Sequence, residues 1–223
     1  MQSSYFYFVI CLLAFSCNSI SGSKPKTGRE LILKSIEYHD PTNNWSHLKA
    51  TLVIQDSLPP GRDSRFYEVF LDNSNSKMGY KINGLSYEVI QDSLIQIVGE
   101  IEEERALRMR NYYTYLWGLP MKLMDAGTVI EDSIRHEILG GKEYLVARVP
   151  YDKDTWYFYI NPENFRMEAY KFFQDEANLV GEIIYLQKEI EFNSLRIPAQ
   201  RTWYRTEKPE FLGTDILLEV RGN

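Results

Sequence analysis

The chain has 223 residues, a formal net charge of -6 and a pI near 5.2. That length suits one domain with a substantial core, and the acidic balance excludes a nucleic-acid binder, which needs a basic patch. Aromatic residues make up 14% of the chain, with 16 tyrosines. Such an excess fits an antiparallel sheet or a half-wet binding face, since tyrosine suits both.

Residues 5–15 (YFYFVICLLAF) are an unbroken apolar run. A membrane-spanning helix needs roughly 20 residues, so the run fits the apolar region of a signal peptide instead. Leu13-Ala14-Phe15-Ser16-Cys17 resembles a bacterial lipobox, with the small Ser16 just before the cysteine. That resemblance implies a lipoprotein signal over 1–16 and a lipid attached at Cys17. Ala14 stands where leucine is usual, Phe15 is bulky and no Lys or Arg precedes the run. The alternative is an ordinary secretory signal cut a few residues later. Cys11 and Cys17 are the only cysteines, so a mature chain starting at Cys17 has no thiol pair for a disulfide. The small polar stretch 18–28 (NSISGSKPKTG) reads as a flexible tether. The expected division is therefore signal 1–16, tether 17–27 and a single domain 28–223. Asn18 after the cysteine resembles lipoproteins sent on to the outer membrane, which implies that address here.

Residues 29–38 place Leu31, Ile32, Ser35 and Ile36 on one side of a short helix, with Thr27 as its cap and Pro41 beyond its end. Leu48, Ala50, Leu52 and Ile54 then alternate with Lys49, Thr51 and Val53, the period of a half-buried strand. Pro59-Pro60-Gly61 forces a turn before strands 66–71 and 78–82. Asn83-Gly84 predicts a type I′ hairpin with both residues at positive φ. Strands 85–90 and 94–98 form the next hairpin across Gln91-Asp92-Ser93.

A central helix follows within 101–125 (IEEERALRMRNYYTYLWGLPMKLMD), with Ala106, Met109, Tyr113, Leu116 and Trp117 on one face. Glu102, Glu103 and Glu104 suit the positive end of its dipole, and Gly118, in the left-handed conformation, with Pro120 should stop it. After it come a long strand over 128–139, a turn at Gly140-Gly141, and strands 143–149, 156–160, 165–173, 182–192, 198–205 and 214–220. Connections this short leave no room for crossover helices, so the sheet should be antiparallel. A parallel (β/α)₈ barrel has no support.

The order of signal with lipobox, short helix, five strands, central helix and a second run of strands resembles the lipoprotein-sorting LolA/LolB fold. Segments 110–125 (RNYYTYLWGLPMKLMD) and 156–173 (WYFYINPENFRMEAYKFF) are also similar to an uncharacterised family of Gram-negative envelope lipoproteins. The resemblance spans about 28–222. It implies an α+β fold, a strongly curved antiparallel β-sheet or half-barrel of about a dozen strands wrapped round a central and a short N-terminal helix. It also implies a hydrophobic cavity for acyl chains between sheet and helix. LolA is a soluble shuttle, whereas LolB is itself anchored and receives cargo. An anchored Cys17, with roughly 0.8 kcal/mol per buried CH₂, fits a stationary holder on the outer membrane facing the periplasm.

Tyr113, Trp117, Met121, Leu123, Met124, Trp156 and Phe158 are the candidate ligand-binding residues, because methionine adapts to irregular ligands and aromatics supply contact area. Plain core packing is the alternative for each. The stretch 119–124 after the helix stop reads as the rim of the pocket. No catalytic set, metal-ligand spacing, phosphate loop or cofactor fingerprint is present. His39-Asp40, His47 and His136 read as structural. The functional expectation is a non-enzymatic envelope protein with a lipid or other hydrophobic ligand, a membrane contact through its anchor and no nucleic acid. The alternatives are a scaffold subunit with an envelope protein partner and, more remotely, an envelope hydrolase.

Overall fold

A computed structural model describes residues 24–222; the expected signal segment and Cys17 lie outside the described residues. Helix α1 (Gly28–His39) starts at Thr27, whose hydroxyl accepts a hydrogen bond from the Glu30 amide at 3.2 Å. It buries Leu31, Ile32, Ser35 and His39. Five strands follow: β1 (Lys49–Ser57), β2 (Phe66–Asp72), β3 (Lys77–Ile82), β4 (Leu85–Ile90) and β5 (Ser93–Val98). Helix α2 (Glu103–Leu116) separates them from β6 (Arg135–Leu139), β7 (Lys142–Pro150), β8 (Thr155–Ile160) and β9 (Met167–Asp175). The chain closes with β10 (Val180–Phe192), β11 (Leu195–Arg205) and β12 (Phe211–Gly222).

All twelve strands form one sheet in the order β5-β4-β3-β2-β1-β12-β11-β10-β9-β8-β7-β6. Every neighbouring pair is antiparallel. The first and last strands pair at the centre, which leaves β5 and β6 as the two edges. The segment carrying α2 joins those edges and crosses the hollow between them. This open curved sheet with two helices is the α+β half-barrel that the LolA/LolB resemblance implies. Register shifts at Val53/Ile54, Glu88/Val89, Tyr159/Ile160, Val180/Gly181 and Trp203/Tyr204 add local twist and bend. At Gly181 the strands approach so closely that a Cβ would lie 2.0 Å from the Phe172 carbonyl oxygen, so only glycine fits there.

Two apolar clusters fill the concave side. One joins Leu52, Ile54, Val69, Met78 and Tyr87 to Ala106, Tyr113 and Trp117 of the α2 segment. The other sets Leu31 and Ile32 of α1 against Phe158, Ile160, Ile184 and Leu186. A third, on the opposite face, gathers Val146, Tyr159, Ala169 and Phe173.

Several local expectations are corrected. At the Asn83-Gly84 turn only Gly84 has positive φ, so the hairpin is not type I′. The strand expected over 128–139 is regular only at Arg135–Leu139. Upstream, the backbone is used by α1: the Gly28 amide donates to the Asp132 carbonyl, and a Cβ on Gly28 would clash with the Glu131 carbonyl. Gly118 is not left-handed. It is needed because a Cβ there would lie 2.6 Å from the Trp45 ring and 2.6 Å from Lys122 Cγ. Of the rim expected over 119–124, Leu119 and Leu123 are fully buried in the α1 cluster, whereas Met121, Lys122 and Met124 remain half-buried.

Candidate functional site

The candidate site is the hollow under α2. Helical spacing sends Tyr112, Tyr113 and Tyr115 to three different parts of the sheet. Tyr113 lies against Tyr67 and Tyr80, with ring centroids 6.0 and 5.9 Å away. Tyr112 stacks on Trp203 at 5.9 Å and donates a hydrogen bond to Asp215 Oδ2 at 2.7 Å. Tyr115 meets the edge of Trp156, and its hydroxyl pairs with that of Tyr151 at 2.7 Å. Ring contacts and hydroxyl hydrogen bonds thus seat the helix, together with Ala106, Leu107, Met109 and Leu116 in the apolar clusters.

Beneath it runs a row of ionisable side chains. Asp56 of β1 is in register with Asp215 of β12, which is in register with Arg201 of β11. Asp56 is neutralised by Arg65, whose Nη2 lies 2.5 Å from Oδ2. Arg201 is 1% exposed and lies flat over Trp117, its Cζ 3.6 Å from the ring centroid, a strong cation–π geometry in a dry setting. Its Nη1 donates to the Pro198 carbonyl at 2.6 Å, and no ion pair within 4.0 Å joins it to Asp215. Burial lowers the pKa of the Arg201 guanidinium, an effect offset by the nearby Tyr170 and Asp215. Burial raises that of Asp215, against the Tyr112 hydrogen bond and the Arg201 charge.

The row is incompletely satisfied. Arg201 Nε, Trp117 Nε1 and Tyr170 Oη are buried with no hydrogen-bond partner. Unpaired buried donors cost roughly 1–3 kcal/mol each, so each of these groups calls for a partner, whether ordered water, an ion or a ligand.

The predicted ligand-binding residues divide between the two concave clusters. Tyr113 and Trp117 are buried in the α2 cluster, with the half-buried Met121 packed on it. Leu123 and Phe158 are buried in the α1 cluster, with Met124 and Trp156 half-buried beside them. Met121 also lines a polar opening of about 530 Å³ with Trp45, Arg110, Asn111 and Thr114. Sequence reading missed Arg201, Asp215, Asp56, Tyr112 and Tyr170. The signal was strand parity: Leu195, Ile197, Ala199 and Arg201 alternate inward together, as do Leu52, Ile54 and Asp56.

The histidine that begins the His39-Asp40 pair has a structural role. The His39 ring is fully buried, with Nδ1 2.7 Å from the Arg196 carbonyl and Nε2 accepting the Met167 amide at 3.1 Å. Asp40 caps the next turn through the Asn44 and Trp45 amides, at 2.7 and 2.9 Å. Among the described residues no group of three or more His, Cys, Asp or Glu side chains is placed to hold a metal.

A family model spanning residues 3–220 matches the chain, and its description is a family of unknown function, DUF6503. The chain belongs to that family. A search of curated proteins finds no match to this DUF6503 protein. Among solved structures it is similar to a LolA superfamily protein from Nitrosomonas europaea. That match has TM-score 0.56 and 12% identity, covering 88% of this chain and 94% of the other. An outer membrane lipoprotein-sorting protein domain from Vibrio parahaemolyticus matches with TM-score 0.57 and 8% identity, over 87% and 92% of the two chains. A DUF1329 family protein from Desulfovibrio piger matches with TM-score 0.51 and 7% identity, over 90% and 93%. At these identities the likeness establishes the fold that DUF6503 shares with LolA superfamily proteins, and function must be argued from the site.

Proposed function

We propose that this protein is a non-enzymatic envelope lipoprotein, anchored to the outer membrane through Cys17, that holds a lipid or other apolar ligand between its sheet and α2. The observation that carries the reading is how α2 is seated. Of its 14 residues only Ala106, Tyr113 and Leu116 are buried, and the floor beneath carries buried donors without partners. A plug built this way leaves its seat at lower cost than a helix bound by a continuous aliphatic stripe.

On this reading α2 withdraws to admit the ligand. Tyr113, Trp117 and Met121 then frame one side, and Leu123, Met124, Trp156 and Phe158 the other. The lipoprotein-sorting description of a structural neighbour agrees with this class of ligand. Lipid-stripped protein should take up a fluorescent fatty acyl probe saturably, and Trp117→Glu should weaken that uptake about tenfold or more, because the charge must be buried against the ligand. An absence of saturable uptake would dispose of the proposal. Ile95 and Val98, both exposed on edge strand β5, favour the second reading, a scaffold subunit. A stoichiometric protein partner captured without bound lipid would support that reading instead.

A further inference from the structure

The face of the sheet away from both helices carries a second concavity. Along β10, Ile184 and Leu186 face the helices, so Ile183 and Tyr185 point the other way. There they line a groove of about 770 Å³ with Lys171, Phe173 and Tyr204, and with Leu179 at its rim. This volume is in the range of small-molecule sites, roughly 300–1,000 Å³. Leu179 is 58% exposed and belongs to the short turn between β9 and β10.

Among the charged side chains that line this groove, Lys171 is the one without a carboxylate bonded to it. The other half-buried lysines of the described residues, Lys34, Lys77 and Lys122, each have a carboxylate partner in Glu37, Glu88 and Asp125. The Lys171 side chain makes neither an ion pair nor a hydrogen bond, although its backbone is paired in the sheet. Its Nζ lies 4.8 Å from the Tyr159 ring centroid. Glu137, the carboxylate that acts on it from a distance, already accepts the Tyr159 hydroxyl at 2.6 Å. Burial pulls the Lys171 pKa below its usual value, with Glu137 opposing. At the rim, Arg205 is taken by Glu210 at 3.2 Å. The groove therefore offers one positive charge with no carboxylate bonded to it, beside a floor of Phe173, Ile183, Tyr185 and Tyr204 interrupted by Gln187 and Thr202, in a chain whose net charge is -6.

We infer that this groove binds a single-chain amphiphile with a carboxylate head, the head pairing with Lys171 and the chain lying on Ile183, Tyr185 and Tyr204. One free cation matches a monoanion, and the apolar floor matches an alkyl chain more than a sugar. This site is separate from the hollow under α2.

The two sites can be told apart by tryptophan. No tryptophan lines the groove, whereas Trp117 and Trp203 sit in the hollow. The full chain is titrated with brominated stearate, following heat and tryptophan emission together. A groove event releases heat without quenching. Lys171→Met should weaken it about tenfold or more, the value of a charge-assisted contact, and Lys171→Arg should restore it. Tyr204→Ala, a change at a half-exposed position, should weaken it independently. The brominated alcohol of the same length should bind as the Lys171→Met variant does. Unchanged binding in Lys171→Met, equal binding of the alcohol, or a saturable event that only quenches tryptophan would each overturn the inference. The last result would leave the hollow as the ligand site, while quench-free binding alone would leave the groove.

Discussion

At His39, full burial and two hydrogen bonds of opposite sense fix a neutral ring. Desolvation lowers its pKa from 6.5 to about 4. The folded value is below the unfolded one, so the stabilisation is complete above about pH 6.5 and is lost as pH falls toward 4, where the unfolded chain takes up the proton first. That difference corresponds to about 3 kcal/mol. In urea titrations at pH 7 and pH 4.5, His39→Gln should be the less stable protein at pH 7 and should lose less on acidification. An equal loss in both proteins would show that other groups carry the acid sensitivity. Burial of this kind is hard to read from sequence, because His39 and Arg201 stand among exposed-type residues. Only the parity of β11 and the helical period of α1 place them inside, and each becomes meaningful once the neighbouring strands are known.

The helices and their junctions differ in how far local pattern decides them. The N-cap at Thr27 and the inward face of α1 follow directly from spacing, since both depend on residues within one turn of each other. The end of α2 does not. Gly118 reads as a left-handed stop, yet its constraint comes from Trp45, more than 70 positions away in the chain. Gly118→Ala should therefore destabilise the protein by about 1–3 kcal/mol through overpacking against that ring. A stabilising effect, of the sort that alanine confers in an open helix, would refute the contact. The strand expected over 128–139 fails for a related reason. Its first half has suitable residues, but it makes only a single backbone bond to β7, from the Glu131 amide to the Arg148 carbonyl, and the next carbonyl, that of Asp132, is taken by Gly28 of α1.

For the whole molecule, the topology was legible because each hairpin is local: short turns between alternating segments can only build antiparallel neighbours. The closure of β1 on β12 and the bend of the sheet depend on long-range pairing and on bulges, which no window of sequence displays. The same holds for the interior. Candidate residues Trp117 and Phe158 carry the apolar character that a pocket needs, but burial places them in separate clusters, and the polar row that distinguishes the hollow from an ordinary core is spread over three strands. Site-resolved hydrogen exchange under native conditions tests most directly whether α2 is a removable plug in this hollow. Amides of α2 should exchange through a local opening, well below the free energy of global unfolding, while those of β1, β11 and β12 exchange only on global unfolding. If the α2 amides were protected as strongly as the central strands, α2 would be a permanent part of the core and the proposed route for a ligand would be closed.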